Sequence, residues 1–447
     1  KRTKPCGLKI QPLKGALPFQ PGAFSSGQLT FHLSLCVEQP MTVKVLQNKQ
    51  IILGITGGIA AYKAVEVASR LVKAGAVVDV VMTEAATHFV APLTFQAITH
   101  RPVSLEMFAL LRDVEIGHVS LAHRADLLII APLTANTLAK LAHGIADNLL
   151  TAVALDTPAP ILIAPAMATG MWENPITQDN LTRLREQRDV TVVGPRAGRL
   201  ASGRMGMGRM AEPAEIVEAA RWVLGRQGPL AGRRVIVTAG GTREPLDPIR
   251  FIGNRSSGQM GYALAAAARD RGAEVVLIHA PTALTIPWGV EEVAVETAQE
   301  MHDAVLATLP QADALIMAAA VADYRPVQVA AHKIKKVGQI GNLSYLELER
   351  TPDILAAVSA RREQLPLLQV VVGFAAETED LIENARRKLQ SKCLDLIVAN
   401  DARQAMGAAE SQVVLLGRDG SVEELPLLPK EQVAEEIIDR VISLLSS

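Results

Sequence analysis

The sequence predicts an α/β protein built from two doubly wound parallel sheets in series. Three observations carry that expectation. Apolar β-branched runs alternate with stretches of helical period along most of the chain. A strand that runs into a glycine turn occurs twice, as ILGITGGI over 52–59 and as VIVTAGGT over 235–242. The 447 residues exceed what one core usually holds, and 49% hydrophobic with 20% charged residues is ordinary globular composition.

In chain order, residues 1–40 hold five Lys or Arg against one acidic residue, with scattered Pro and Gly and no sustained period. They are expected to lie outside the fold as a disordered or non-native extension, with an organelle transit peptide as the alternative. A first domain is expected over 41–225. It opens with a strand at 50–55, a tight turn at Thr56-Gly57-Gly58, a helix at 61–74 and a strand at 77–82, which is a βαβ unit. Apolar runs at 127–131 and 161–164 extend the sheet. Residues 194–210 contain five glycines and four arginines without an acid, which fits a hinged lid over an anionic ligand and equally a solvated loop.

Residues 226–233 read as a linker, and a second domain is expected over 234–447. Its strand candidates are 234–239, 275–279, 314–317, 370–372 and 396–398, and its helix candidates 259–271, 298–309, 352–364 and 378–390. A hairpin around Asp419-Gly420 precedes a final amphipathic helix. About fifteen polar, glycine-bearing residues separate the strand at 234–239 from the helix after it, far more than a plain connection needs, so this loop is expected to bind a ligand. Free N–H groups at the start of that helix suit a phosphate.

Composition narrows the function. A net charge of -1 and a pI near 6.8 give no general drive toward nucleic acid or anionic membrane, and 3% aromatic residues disfavour a base-stacking surface. No uncharged apolar run free of proline reaches the length of a membrane span. Three cysteines without CxxC or zinc spacing argue against a disulfide framework, and a reducing cytoplasm fits. Neither glycine turn has GxGxxG, which disfavours a nicotinamide dehydrogenase. A mononucleotide needs one phosphate pocket, which Gly57, Gly58 and the helix start at Ile59 offer, with hydroxyls at Thr83 and Thr94 in support. A simple tight turn explains the same glycines.

The motifs themselves carry a resemblance. TAGGTREPLDPIRFIGNRSSGQMG (238–261) resembles the signature loop of bacterial phosphopantothenate–cysteine ligases, and AAAVADY (318–324), KIKK (333–336), TPDIL (351–355), GFAAET (373–378) and AND (399–401) follow in the order of that family. ITGGIAAYK (55–63), GHVSLAHRADLLIIAPLTANTLAK (117–140) and IADNLL (145–150) resemble the flavin-dependent phosphopantothenoylcysteine decarboxylases. From Met41 onward the chain resembles the bifunctional coenzyme A biosynthesis proteins. The resemblance implies a flavodoxin-like FMN-binding domain followed by a Rossmann-like ligase domain, acting on 4'-phosphopantothenate, cysteine and CTP with Mg2+. It implies a cytoplasmic homo-oligomer that works on small molecules, with no nucleic acid or membrane partner.

Residue by residue, the resemblance places Pro132, Thr134, Asn136 and Thr137 at the flavin, although Thr and Asn here also suit a helix cap. It places Asp147 and Asn148 where subunits share that site, and makes His118 catalytic. In the family FMN oxidises the cysteinyl thiol, carbon dioxide leaves, and hydride returns while a cysteine supplies a proton. Two positions depart from that scheme: Ala168 stands where the family has an asparagine that holds the substrate carboxylate, and Ser202 stands where it has the cysteine. A hydroxyl is a far weaker acid than a thiol of pKa about 8.5. In the ligase half the resemblance gives Asn254 to the acyl-nucleotide, Lys333 to attack by cysteine and Asp323 to the cytosine base. Met317, Ala318, Ala319, Pro352, Asp353, Ile354, Leu355 and Phe374 would line the nucleotide pocket, and Lys388 and Lys392 would meet its phosphates. Taken alone, KIKK reads as a solvated basic patch and Lys388/Lys392 as a salt-bridged helix face. The family often has a Gly-Phe turn after AND, where Gly407-Ala408-Ala409-Glu410 stands here. No metal-ligand set is assigned. The competing expectations are a working ligase joined to an impaired flavin domain, and a non-enzymatic FMN-binding regulator.

Overall fold

The computed structural model describes residues 44–107, 117–201, 203–334, 346–377, 379–401 and 410–446, with the side chains of residues 117 and 118 outside the description. Two sheets organise them. The first has the order β3-β2-β1-β4-β5-β6, every neighbouring pair parallel, from β1 (Gln50–Ile55), β2 (Val77–Met82), β3 (Val103–Ser104), β4 (Leu127–Leu133), β5 (Ile161–Pro165) and β6 (Val190–Val192). Alternate residues of β1 divide between two apolar cores, Ile51, Leu53 and Ile55 on one face and Ile52 on the other. α1 (Ala61–Lys73), α3 (Pro92–Thr99) and α9 (Pro213–Gly225) pack on the first face, following the short α2 (Glu84–Thr87). α4 (Gly117–Arg124), α5 (Ala135–Ala142), α6 (Leu149–Asp156) and α8 (Pro175–Gln187) cover the second, the last preceded by α7 (Thr169–Trp172). A hairpin, β7 (Arg196–Arg199) with β8 (Met205–Arg209), stands off the sheet.

The second sheet begins with β9 (Arg234–Ala239), whose Val235, Val237 and Ala239 face one core and whose Ile236 faces the other. Its order is β13-β12-β9-β14-β17-β18-β20-β21, from β12 (Glu274–His279), β13 (Glu291–Ala294), β14 (Ala314–Met317), β17 (Val370–Glu377), β18 (Leu396–Asp401), β20 (Val414–Gly417) and β21 (Val422–Glu424). α10 (Gln259–Asp270) and α14 (Lys430–Leu445) lie on one face; α11 (Ala298–Thr308), α12 (Ile354–Arg361) and α13 (Leu381–Ser391) lie on the other. The expected hairpin around Asp419 is present, but it joins the main sheet as two antiparallel edge strands, so the sheet is not wholly parallel. β17 and β18 run on past the apolar residues of their sequence signal, because ladder hydrogen bonds to each other carry polar residues as far as Glu377 and Asp401. The expected helix at 378–390 starts later, at Leu381. Asp353 accepts from Ala356 N at 2.9 Å, and this cap fixes the start of α12 two residues after the expected one.

The long loop after β9 is itself structured. β10 (Arg243–Pro245) pairs with β11 (Phe251–Gly253), and β15 (Tyr324–Pro326) pairs with β16 (Leu348–Arg350) alongside it. Both hairpins are too short to leave a period in the sequence. Two further short strands, β19 (Glu410–Ser411) and β22 (Leu428–Pro429), lead into α14.

The expected linker is a tight turn against α10. The helices that flank it are tied by buried charges: Arg269, fully buried, donates to Glu218 Oε2 at 2.6 Å, to Asp270 Oδ1 at 2.5 Å and to the Trp288 carbonyl at 2.9 Å. Arg221 donates to the other Asp270 oxygen at 2.6 Å. Burial would raise the Glu218 carboxyl, but Arg221 and Arg269 outweigh it and hold the group below its ordinary range.

Candidate functional sites

In the first sheet the chain runs from β1 outward to β3 and then returns to the other side of β1 as β4, so the strand order reverses between β1 and β4. Ligands of doubly wound sheets bind at the C-terminal strand ends of such a point. Here the two ends are joined by Thr56, which is buried: its hydroxyl donates to the Pro132 carbonyl at 2.7 Å and accepts from Thr134 N at 3.1 Å. Gly57 lies so close to α2 that a Cβ there would sit 2.4 Å from Ala85 Cβ, and this contact rather than conformational freedom demands glycine. A Cβ on Gly58 would be 3.7 Å from the Thr134 methyl. The N-terminus of α1 has no side-chain cap; Ala61 N donates to the Gly58 carbonyl at 2.9 Å and Lys63 N to the Ala60 carbonyl at 3.0 Å, and Ile59 beside it is exposed. Gly57, Gly58, Pro132 and Thr134 are thus neighbours. Thr83 joins them through the end of β1, its N–H donating to the Ile55 carbonyl at 3.0 Å. Thr94 is exposed on α3, without a described contact to that group. Thr134 caps α5 by accepting from Thr137 N at 3.4 Å; Thr137 is buried and Asn136 exposed. Asp147 pairs with Lys140 at 2.6 Å and Asn148 caps α6, so both have structural roles within the chain.

The segment after β5 is covered by the β7–β8 hairpin. Met167 N donates to the Gly208 carbonyl at 3.0 Å, and a Cβ on Gly208 would reach 2.1 Å from Met167 O. Ala168, exposed, therefore sits beneath the expected lid. Two of the four arginines of residues 194–210 are spent at the base of this hairpin, Arg196 against Glu215 and Arg209 against Glu212, while Arg199 and Arg204 stay exposed. His118 lies within α4, but its side chain, and all of Ser202, lie outside the described residues.

The second sheet has a cleft of about 1740 Å³ over the C-terminal ends of β14, β17 and β18, walled also by residues 253–258 of the loop that follows β9. It brings together Asn254, Met317, Ala318, Ala319, Asp323, Pro352, Asp353, Ile354, Leu355, Phe374, Lys388 and Lys392. Asn254 Nδ2 donates to the Val321 carbonyl at 2.9 Å, which turns the residue toward the 318–324 loop. That loop is pinned to β9 and the turn after it: Ala319 N donates to Thr238 Oγ1 at 3.1 Å and Ala322 N to Thr242 Oγ1 at 2.9 Å. Gly258, at φ 75°, ends the long loop in a left-handed conformation that admits little but glycine.

Lys388 donates to the Phe374 carbonyl at 2.7 Å, and Lys392 pairs with Asp353 at 2.5 Å. Burial lowers the Lys388 ammonium below its ordinary range against the opposing pull of Glu377, Asp323 and Asp353. Burial would raise Asp353, but the Lys392 contact and the Ala356 N–H hold it low. Of the residues expected here, Lys333 is not among those that line the cleft. It is exposed on a stretch tied to the β10–β11 turn, where Ile334 N donates to Asp247 at 3.2 Å and Arg250 donates to Ile334 O at 3.0 Å. Lys335, Lys336 and the Gly407 turn lie outside the described residues. The cleft also holds Arg350, Asn384, Arg387 and Lys430, which sequence reasoning missed. Asn384 and Arg387 had a signal, since they share the helix face that carries Lys388; Lys430 had none, because a lysine opening an amphipathic helix reads as a solvated end.

Family comparison agrees with this two-site architecture. Residues 42–224 match the family model Flavoprotein, and residues 230–445 match that of the DNA/pantothenate metabolism flavoprotein C-terminal domain. A coenzyme A biosynthesis bifunctional protein CoaBC from Vibrio vulnificus (strain YJ016) is 42% identical over 406 residues, 90% of this chain and 100% of the relative. The chain belongs to the CoaBC family. It is a bifunctional enzyme of coenzyme A biosynthesis with decarboxylase and ligase activities. Among solved structures, the C-terminal domain of a CoaBC protein is 43% identical over 49% of this chain and 98% of its own, with a TM-score of 0.42. A PPC decarboxylase mutant complexed with pantothenoylaminoethenethiol is 35% identical over 39% of this chain and 97% of its own, with a TM-score of 0.36.

Proposed function

We propose that the cleft of the second sheet binds CTP and 4'-phosphopantothenate, joins the carboxylate to the nucleotide as an acyl-cytidylate with loss of pyrophosphate, and passes the acyl group to the amine of cysteine. The first sheet then converts the 4'-phosphopantothenoylcysteine so formed into 4'-phosphopantetheine. The observation that carries this reading is the meeting of Asn254, Asp323, Lys388 and Lys392, from three separate chain segments, around one cleft large enough for a nucleotide and a second acid. Lys388 and Lys392 neutralise the triphosphate, Asp323 accepts from the exocyclic amine of cytosine, and Asn254 holds the acyl-phosphate oxygen where charge develops. Lys333 approaches from its loop when cysteine attacks. Mg2+ would enter on the nucleotide's phosphates; among the described residues no group of three His, Cys, Asp or Glu could cage a metal.

FMN would fit the first site by its phosphate, which the start of α1 and the Gly57-Gly58 turn would receive, and Thr134, Asn136 and Thr137 would hold the flavin. When bound it supplies the two-electron redox couple. His118 holds the substrate thiol and its proton, the lid arginines Arg199 and Arg204 meet the substrate phosphate, and Ser202 relays a proton. Domain limits of 41–225 and 234–447, a cytoplasmic setting and a homo-oligomer acting on small molecules belong to the same reading. Among the described residues no helix is long and apolar enough to cross a membrane.

Anaerobic incubation of the flavin-loaded protein with 4'-phosphopantothenoylcysteine tests the decarboxylase half. Phosphopantetheine with the flavin returned to its oxidised state is expected. An enethiol with reduced flavin would instead favour the reading that Ala168 and Ser202 motivate, a ligase joined to an oxidative-only flavin domain, and the Ala168→Asn/Ser202→Cys double variant would then restore the complete reaction.

A further inference from the structure

Lys430 is the first residue of α14, the helix packed on α10. Its side chain lines the cleft but comes from the layer of helices opposite the one that carries Lys388 and Lys392. The residue is 8% exposed, and its ammonium donates to Gln259 Oε1, a neutral acceptor, at 3.3 Å. Among the described residues it forms no ion pair, whereas Lys392 is matched by Asp353. Burial lowers its pKa, and Glu431 offsets this only in part. An ammonium that opens on the cleft, shielded on its other sides and left without a counter-charge, is one that an anionic ligand in the cleft would pair with.

The ligand's chemistry follows from the cleft's two poles. At about 1740 Å³ the cleft is larger than one small ligand fills. A nucleoside triphosphate on Lys388 and Lys392 leaves the α10 side for the second acid. There Met260 and Gly261 also line the cleft, in the helical turn whose N–H groups have no acceptor within the helix. We propose that Lys430 is the residue that binds the phosphomonoester of the acid substrate and makes the ligase select a phosphorylated acid over its unphosphorylated form. Gln259 positions the ammonium without neutralising it. The inference rests on the reading of this cleft as the ligase site.

Pyrophosphate release by the full-length protein tests it, with KM measured separately for 4'-phosphopantothenate, pantothenate, CTP and cysteine in wild type, Lys430→Gln and Lys430→Arg. Lys430→Gln should raise KM for the phosphorylated acid by about 10- to 100-fold and reduce the preference over pantothenate by a similar factor. Its KM values for CTP and cysteine should stay within about twofold, and Lys430→Arg should keep most of the affinity. An unchanged KM for the phosphorylated acid, or a loss confined to CTP or cysteine, would overturn the assignment while leaving the ligase reading intact. Wild type that releases no pyrophosphate with CTP would overturn both. If melting shows Lys430→Gln unfolded, Gln259→Glu decides: a carboxylate against the ammonium should compete with the substrate phosphate and raise the same KM, and no rise would sink the proposal.

Discussion

The two sheets start from the same device and use it differently. In the first, the chain passes from β1 to α1 through residues 56–60; in the second it takes residues 240–258 to go from β9 to α10. The short turn leaves a helix start without a side-chain cap, pressed against Ala85 after β2 and Thr134 after β4. The long one folds a hairpin, props the 318–324 loop and builds one wall of a cleft with cationic groups on two sides. In the proposed reading, loop length between one strand and one helix separates a mononucleotide cradle from a chamber for two reactants.

The comparison implies that the sites are independent while the joint between them is shared. The largest effect should come from the joint. Arg269→Met would leave Glu218 and Asp270 short of a buried partner and should cost about 3–5 kcal/mol of stability, lowering the melting temperature and both activities together. Because the Glu218 pKa is depressed in the folded state, its contribution is full above the unfolded carboxylate value of about 4.3 and lost as pH falls below it. The variant should therefore show a flatter acid limb, and loss of one activity alone would refute a shared joint.

A reciprocal pair of site variants comes next. Asn254→Ala should slow cysteine-dependent pyrophosphate release by about 10²–10³ and leave decarboxylation intact. Gly57→Ala, whose new methyl would overlap Ala85, should cost about 1–3 kcal/mol and weaken flavin retention, read by absorbance, with ligation unchanged. Cross-effects in both directions would break the independence of the sites. The smallest effect concerns pH. Since burial lowers the Lys388 ammonium, affinity for CTP should fall at a lower alkaline pH than an ordinary lysine at about 10.4 allows. Lys388→Arg, which stays charged, should move that limb upward, and an unmoved limb would show that another group titrates.

Much of the fold could be read from the chain because its signals are local. The β-branched runs that became β1, β2, β9 and β12, and the glycines after them, act through backbone preference and burial on two faces. So does the turn at Asp419-Gly420. The site residues of the cleft came from motif order, and the fold then gathered all but Lys333. What the sequence withheld depends on distant pairing. The β10–β11 hairpin is too short for a period, and the antiparallel edge formed by β20 and β21 depends on which strand is exposed.

By itself, then, the sequence determined the α/β class, the two glycine turns and the family to which the chain belongs, since each is encoded within one short segment. Only the tertiary structure decided that Arg269 is buried against α9, that Arg196 and Arg209 are spent at the base of the β7–β8 hairpin, and that Lys430 faces Gln259 across 171 positions of sequence. A charge has no fixed meaning along a chain. Its role is set by which partners and how much water the packed elements leave around it.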